Sequence, residues 1–473
     1  MPAPIKLYNT MSRKVEEFKP LIPGQVSFYS CGPTVYWYQH LGNMRAAVQF
    51  DMIKRMFLAN GYDVRHVMNI TDVGHLTSDE DTGEDKMEKG AKREKKSVWE
   101  VAQTYLDSFN KDTAALNIIP PTHAPRATDY IREQIDQVGK LEELGYTYEI
   151  PGDGIYYDTG KFAGYGALGG QDLSKIKAGA RVAAAGKRNP TDFALWKFSP
   201  KDAKREMEWD SPWGKGFPGW HIECSAMSMK LLGPHFDVHA GGQEHIKIHH
   251  NNEIAQSEPI VGKPWVNYWV HHEWLMAKDG DKMGKSAGNF ATVPDLIERG
   301  YDPMAFRYLL LTGHYKSPLN FSWEALDAAA TGYKNIVRKV VELLKNQQSA
   351  IGNQQYDEWH DKILSAVNDN LKTAAALVHV QELLADDATG AATKIALFRF
   401  IDQLLGLRFI DRAQELLAAE SSPVPENIRK LADERAVAKA ARDWAKADEL
   451  RELIAASGYI ITDGRDGMKI TKK

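Results

Sequence analysis

The stretch Cys31 to Asn43, CGPTVYWYQHLGN, puts a thiol and a helix entrance close together in the chain. The apolar run Val26-Ser27-Phe28-Tyr29 reads as a short buried strand that delivers Cys31 to a turn at Gly32-Pro33. His40-Leu41-Gly42-Asn43 then sits where a helix begins. Free backbone N–H groups and the positive end of the helix dipole attract phosphate there, and Gly42 lets a ligand lie against the backbone. A His before a Gly turn is also an ordinary polar loop residue. The only other cysteine is Cys224. Two distant cysteines argue against a disulfide framework and leave buried packing or metal ligation. His249 and Glu253 are four residues apart, so on a helix they face one side together; that suits a metal and equally suits an ion pair. His250, three residues from Glu253, competes for the same role. Further on, Asp281-Lys282-Met283-Gly284-Lys285-Ser286 carries two lysines three apart in a loop whose glycines permit movement. It is either an idle solvated turn or a cationic arm over an anionic ligand.

Regular elements must hold these groups. Phe50, Ile53, Met56 and Phe57 have helical spacing, so a helix is expected from Ala46 through Leu58, closed by Asn60-Gly61. Asp63 to Ile70 reads as a second strand ending at Thr71-Asp72, on the edge where doubly wound sheets bind ligands. The charge-dense stretch Ser78 to Lys96 is expected to be a solvated loop, with Lys92, Arg93, Lys95 and Lys96 the groups that phosphate would meet. Amphipathic helices are expected over Ser97 to Leu116 and Thr128 to Leu144, then short strand-like pieces between Gly145 and Gly179. Trp196 and Trp213 read as packing. Tyr268-Trp269-Val270 reads as a last buried strand just before the lysine loop. After Val293 the pattern is helical, with apolar stripes such as Ile336-Val340-Leu343 and Ile395-Phe398-Ile401. Ser421 to Pro425 reads as a linker before one charged helix, Ile428 to Ala456, and a terminal strand, Gly458 to Thr462. The cations along that helix are a solvated face or an RNA contact.

At 473 residues and 43% hydrophobic content, the chain can bury a large core in more than one domain. No apolar run reaches the ~18 residues that span a bilayer, and MPAPIKLYNT lacks an apolar signal core. A cytoplasmic protein with no membrane contact is expected. A formal charge of -4 excludes a globally basic nucleic-acid binder, so any RNA contact must use local basic faces.

HLGN early and KMGKS late resemble the HIGH and KMSKS signatures of class I aminoacyl-tRNA synthetases. Gly219-Trp220-His221-Ile222-Glu223-Cys224-Ser225 and His249-His250-Asn251-Asn252-Glu253 are similar to segments of the cysteinyl-tRNA synthetases, and the resemblance covers nearly the whole chain. It implies an α/β fold. A split Rossmann-like parallel-sheet catalytic domain (1–113 and 211–295) would carry a connective insertion (114–210). A stem-contact connector (296–325), a helical anticodon-binding bundle (326–420) and a small mixed C-terminal domain (421–473) would follow.

The resemblance implies that L-cysteine is activated with ATP, releasing pyrophosphate, and then transferred to the 3′ end of tRNA(Cys) by a monomer. It assigns Gly32, Thr34, His40, Gly42, Asn43, Lys282 and Lys285 to ATP with its Mg2+. His40, Asn43 and the two lysines are the catalytic groups. One Zn2+ would be held by Cys31, Cys224, His249 and Glu253, with His249 favoured over His250. Thr71, Trp220 and Glu244 would contact the amino acid. Where the family reads GGxDLxFPHHENE, this chain has Gly241-Gly242-Gln243-Glu244-His245-Ile246-Lys247-Ile248-His249-His250-Asn251-Asn252-Glu253, and Gly284 replaces a serine in the lysine loop. Alternatives are the cysteine ligase of mycothiol synthesis, which resembles the catalytic half but lacks the full tRNA-binding tail, and a non-catalytic nucleotide- or RNA-binding paralogue.

Overall fold

The computed structural model describes residues 2–74, 85–170, 186–200, 205–277, 290–346, 351–421, 424–464 and 467–472. A hairpin of β1 (Lys6–Asn9) and β2 (Lys14–Glu17) precedes β3 (Gln25–Ser30), α1 (Leu41–Ala59) and β4 (Asp63–Met68). Helices α2 (Lys86–Glu94), α3 (Val98–Ala115) and α4 (Ile131–Glu143) lead to an antiparallel sheet. Its strands are β5 (Thr147–Ile150), β6 (Gly154–Tyr157), β7 (Phe193–Phe198) and β8 (Gly216–Pro218). The chain then returns through α5 (Trp220–Leu232), β9 (Phe236–Gly242), a short α6 (Gln243–Lys247), α7 (His249–Val261) and β10 (Val266–His272).

The central sheet has the order β10-β9-β3-β4, with every pair parallel. The chain leaves β3 toward β4 on one side, while β9 joins β3 on the other and is followed outward by β10. Strand order therefore reverses between β3 and β9, which opens a crevice at their carboxyl ends. Cys31 follows β3 at that edge, and its N–H donates to Ala240 O of β9 at 3.1 Å. Buried Val26, Phe28, Val238 and Val270 cover the sheet together with Met44, Val48 and Met52 of α1. The parallel sheet with the inserted antiparallel sheet is the split α/β architecture expected. The inserted sheet also takes in β8, beyond position 210.

Beyond the central sheet, β11 (Leu275–Met276) pairs in parallel with β12 (Leu319–Asn320) across α8 (Val293–Glu298) and α9 (Pro303–Leu311). Five helices form the bundle: α10 (Trp323–Lys345), α11 (Asn353–Asn368), α12 (Thr373–Ala385), α13 (Ala391–Leu405) and α14 (Phe409–Ser421). The chain ends in α15 (Glu426–Ala440), α16 (Trp444–Ala456) and the hairpin of β13 (Tyr459–Gly464) and β14 (Gly467–Lys472).

Several sequence expectations change. The single helix expected over Ile428 to Ala456 is two helices, broken where Arg442 takes φ 57° and the chain reverses. The residue expected to open the linker, Ser421, still belongs to α14. Within the stretch read as a solvated loop, 78–84 lies outside the described residues, but Lys86–Glu94 is helical. Asp85 accepts the N–H groups of Met87 at 2.7 Å and Glu88 at 3.0 Å, while Met87 and Ala91 are buried. Helix α1 starts at Leu41, one turn earlier than its apolar spacing suggested, for a reason that concerns the site.

A buried polar knot joins α1 to the bundle. The guanidinium of Arg307, on α9, donates to Leu405 O at 2.8 Å, Leu116 O at 3.0 Å and Asp51 Oδ2 at 2.5 Å. Arg55 donates to the same Asp51 oxygen at 2.7 Å and to Gln403 O at 2.7 Å. Burial alone would raise the Asp51 pKa, but Arg307, Arg55 and the Ile119 N–H hold it below its ordinary 3.8. Its contribution to stability is therefore complete above that ordinary value and is lost as pH falls through the lower folded one. Removing Arg307 leaves Asp51 with Arg55 as its one remaining cation and takes the guanidinium donor from the buried carbonyls of Leu405 and Leu116. Arg307→Met should accordingly lower folding stability by about 3–5 kcal/mol at neutral pH, measured by urea unfolding. A loss below ~1 kcal/mol would show that this knot does not join the two regions energetically.

Candidate active site and metal centre

The first turn of α1 is built around His40. His40 Nδ1 accepts the Asn43 N–H at 3.3 Å, and the His40 N–H donates to Asn43 Oδ1 at 3.2 Å, a reciprocal cap that starts the helix at Leu41. A Cβ on Gly42 would lie 2.8 Å from the His40 ring, so glycine makes room for that imidazole. Gly42 thus serves the cap, and it also lies on the lining of the cavity described below. Gly32 is forced similarly: a Cβ there would stand 1.6 Å from Asn69 O, and its N–H donates to Asn69 Oδ1 at 2.8 Å.

A cavity of about 680 Å³ opens at the switch point. His40, Gly42 and Asn43 line it, together with Gly32, Thr34 and Thr71 and with Trp220, Glu244, Cys224, His249 and Cys31. Of the expected site residues that the structure describes, only Glu253 is not on the lining. Lys282 and Lys285 lie outside the described residues. The Thr71 hydroxyl is already engaged, donating to Glu223 Oε2 at 2.9 Å and accepting from Asn69 Nδ2 at 3.0 Å. Glu244 Oε2 accepts the Trp274 indole N–H at 2.6 Å. The Trp220 ring stands 4.9 Å from that of His249. Trp196 is fully buried and Trp213 packs beside it, as expected of packing aromatics.

Four donor residues converge from three distant places: Cys31 after β3, Cys224 in α5, and His249 and Glu253 one turn apart in α7. One donor atom from each lies within 4.8 Å of the others, and a second set with the same property is Cys31, His239, His250 and Glu253. His249 Nε2 is 2.9 Å from Glu253 Oε1, His239 Nε2 is 2.8 Å from Glu253 Oε2, and His250 Nε2 is 3.2 Å from Cys31 Sγ. Neighbours aim these rings: His221 Nδ1 meets His249 Nδ1 at 2.8 Å, and His271 Nε2 meets His250 Nδ1 at 2.7 Å. His239, His221 and His271 carried no signal in spacing, because a lone His in an apolar strand or at a helix start looks like any other.

Electrostatics favour a cation there. Burial raises the Cys31 pKa. The hydrogen bond with Cys31, then burial, then the charge of Glu253 raise that of Cys224 further. Burial opposes charge on His249 and Glu253 as well, yet their mutual attraction raises His249 and, with His239, lowers Glu253. The cluster thus holds its one carboxylate charge by keeping protons on its neighbours. Glu253 Oε1 makes no directed hydrogen bond despite its short approach to His249 Nε2. Two sulfurs, an imidazole nitrogen and a carboxylate oxygen in a buried pocket suit a divalent metal that would replace those protons.

Among the described residues no helix is long and apolar enough to cross a membrane. Residues 17–331 match the family description "tRNA synthetases class I (C) catalytic domain". The chain is 46% identical to Cysteine--tRNA ligase 1 of Burkholderia lata, covering 99% of this chain and 97% of the relative. It is 43% identical to the Cysteine--tRNA ligase of Treponema denticola, covering 97% and 98%. Among solved structures it is similar to Mycobacterium tuberculosis methionyl-tRNA synthetase bound by methionyl-adenylate, with TM-score 0.53 and 14% identity, covering 86% of this chain and 95% of that one. That last likeness speaks for the fold alone. With the family match spanning most of the chain and near-full-length relatives well above 30% identity, the chain belongs to the class I tRNA synthetases, in the cysteine--tRNA ligase family.

Proposed function

We propose that the chain activates L-cysteine with ATP to cysteinyl-adenylate, releasing pyrophosphate, and then passes the cysteinyl group to the 3′ ribose of tRNA(Cys), giving AMP. The observation that carries this reading is that Cys31, Cys224 and His249 of the donor cluster line the same cavity as the entrance of α1. The helix entrance suits phosphates and the donor cluster suits a sulfur. The entrance of α1 binds the triphosphate, His40 and Asn43 orient it, and Lys282 and Lys285 supply charge over the reacting phosphates by the family resemblance. Mg2+ accompanies the ATP. No side chain need act as a nucleophile, because the substrate carboxylate attacks the α-phosphate. Preorganised N–H groups and cations then stabilise charge on the phosphate oxygens.

We assign Cys31, Cys224, His249 and Glu253 as ligands of one Zn2+. When bound, zinc would supply a soft acceptor for the substrate thiolate, so serine is rejected by ligand chemistry rather than by shape. His239 holds the far oxygen of Glu253 and His221 fixes the ring of His249, as outer partners of metal ligands do. The set with Cys224 is preferred to the set with His250, because it offers two thiolates on the cavity lining. His249→Gln should lose most of the zinc and His250→Gln should keep it, read by metal analysis of purified protein. The opposite pattern would move the ligation to His250.

Trp220 forms a pocket wall beside the metal ligands, and Thr71 and Glu244 border the substrate's polar end. The divisions expected at 113, 210, 295, 325 and 420 are proposed as functional units, with the α10–α14 bundle and the α15–β14 end domain meeting the tRNA. The protein acts as a monomer in the cytoplasm. Cysteine-dependent exchange of pyrophosphate into ATP tests activation, and charging of purified tRNA(Cys) tests transfer. Exchange without charging would favour transfer to an amine instead, as in mycothiol synthesis. Absence of both would leave only a binding paralogue.

A further inference from the structure

Helix α2 and the aromatic residues Tyr36, Trp37 and Tyr38 before His40 form a feature to which the proposed activation assigns no role. Lys89, Lys92, Arg93, Lys95 and Lys96 are all exposed there, with Glu88 and Glu94 the acids within the helix itself, in a chain whose formal charge is -4. Lys89, Lys92 and Arg93 share one face by helical spacing, while Met87 and Ala91 on the other face are buried against Val35. The basic face is therefore held at a fixed place. Arg93 fastens it: its guanidinium lies 3.5 Å over the Trp37 ring and donates to Tyr36 O at 3.3 Å and to the Tyr105 hydroxyl at 3.0 Å. Cations in a last helical turn also suit the helix dipole, but that accounts for Lys92 and Arg93 and not for Lys89 or the aromatic loop.

Tyr38 stands two residues before His40, on the lining of the cavity. Its ring is braced edge-on by Tyr105 at 4.9 Å, and the residue is 46% exposed. An accessible aromatic at a cavity mouth, backed by a fixed row of cations, is the combination that binds single-stranded nucleic acid: bases stack and phosphates pair. Resting on the function proposed above, we propose that α2 and Tyr38 form the seat for the unpaired 3′ end of the tRNA acceptor as it enters the cavity. A cavity of about 680 Å³ is too small for a duplex, so the ribose hydroxyl must arrive on unpaired nucleotides. Tyr38 stacks one base, and the exposed lysines of α2 take the phosphates behind it.

The test uses the full chain with purified tRNA(Cys), and compares charging with cysteine-dependent pyrophosphate exchange, which involves no RNA. Tyr38→Ala should lower charging kcat/KM roughly tenfold relative to exchange, and Tyr38→Phe should restore it. In the Lys92→Glu, Lys96→Glu double variant, charging should fall relative to exchange. Its log–log dependence on salt should also flatten by about 1.4, reflecting two lost phosphate contacts. Both positions are exposed, so this variant keeps its fold. Charging and salt slope unchanged in both variants, or charging and exchange falling in step, would overturn the proposal. A wild-type protein with no cysteine-dependent exchange would instead overturn the function it rests on, and the acceptor seat with it.

Discussion

Cys224→Ser is expected to strip the protein of metal and of cysteine activation together. Serine nearly matches cysteine in size, so the buried site in α5 stays filled and the loss is chemical. A hydroxyl is a far poorer zinc ligand than a thiolate, and the remaining donors number three. Since outer partners of metal ligands are worth 10–100-fold in affinity, removing a direct ligand should cost more than about a hundredfold. Cysteine-dependent exchange should fall by a similar factor, and the preference for cysteine over serine should shrink with it. Zinc analysis beside the exchange assay reads both. Retained stoichiometric zinc would remove Cys224 from the ligand set. Lost zinc with intact exchange would detach the metal from amino acid recognition.

The second large effect is expected at His40. The residue caps α1 through Nδ1 and lines the cavity where the proposed function puts the phosphates, so His40→Ala should act twice. Loss of the cap should cost about 0.5–2 kcal/mol of stability. Loss of a donor to the reacting phosphates should cost on the order of a hundredfold to a thousandfold in the exchange rate. His40→Asn separates the two, because asparagine is a strong N-cap but does not reach as an imidazole does. Stability should return while exchange stays low. If exchange recovers along with stability, His40 is a structural cap only and the phosphate contact belongs elsewhere.

Periodicity and punctuation made much of the scaffold legible. The apolar run at Val26 to Tyr29, the helical spacing from Phe50 to Phe57 and the run at Tyr268 to Val270 all lie in the elements they suggested, because burial of one face writes its period into the chain. Local pattern misleads where polarity hides a tertiary contact. The lysines of α2 read as a loop because its buried apolar contribution is two positions, Met87 and Ala91. The charged helix near the end looked continuous because a single positive-φ residue, Arg442, has no compositional mark. The entrance expected at His40 to Asn43 is where α1 begins, with His40 as its cap, although apolar spacing alone marks the helix only from Ala46 onward.

Composition and local spacing settle which residue types are available: two thiols and no more, an i, i+4 pair of His and Glu, a glycine-bearing helix entrance, and strands apolar enough to lie inside a sheet. Which of them meet is settled by the packing of the folded chain. Helical spacing constrains neighbours a turn apart, but Cys31 and Cys224 come within reach of Glu253 because β3 and β9 lie side by side at the switch point, a pairing between segments some two hundred residues apart. His239 and His221 likewise became partners of the donors through the placement of β9 and α5. Long-range pairing depends on the whole buried surface of the sheet, which no local pattern records.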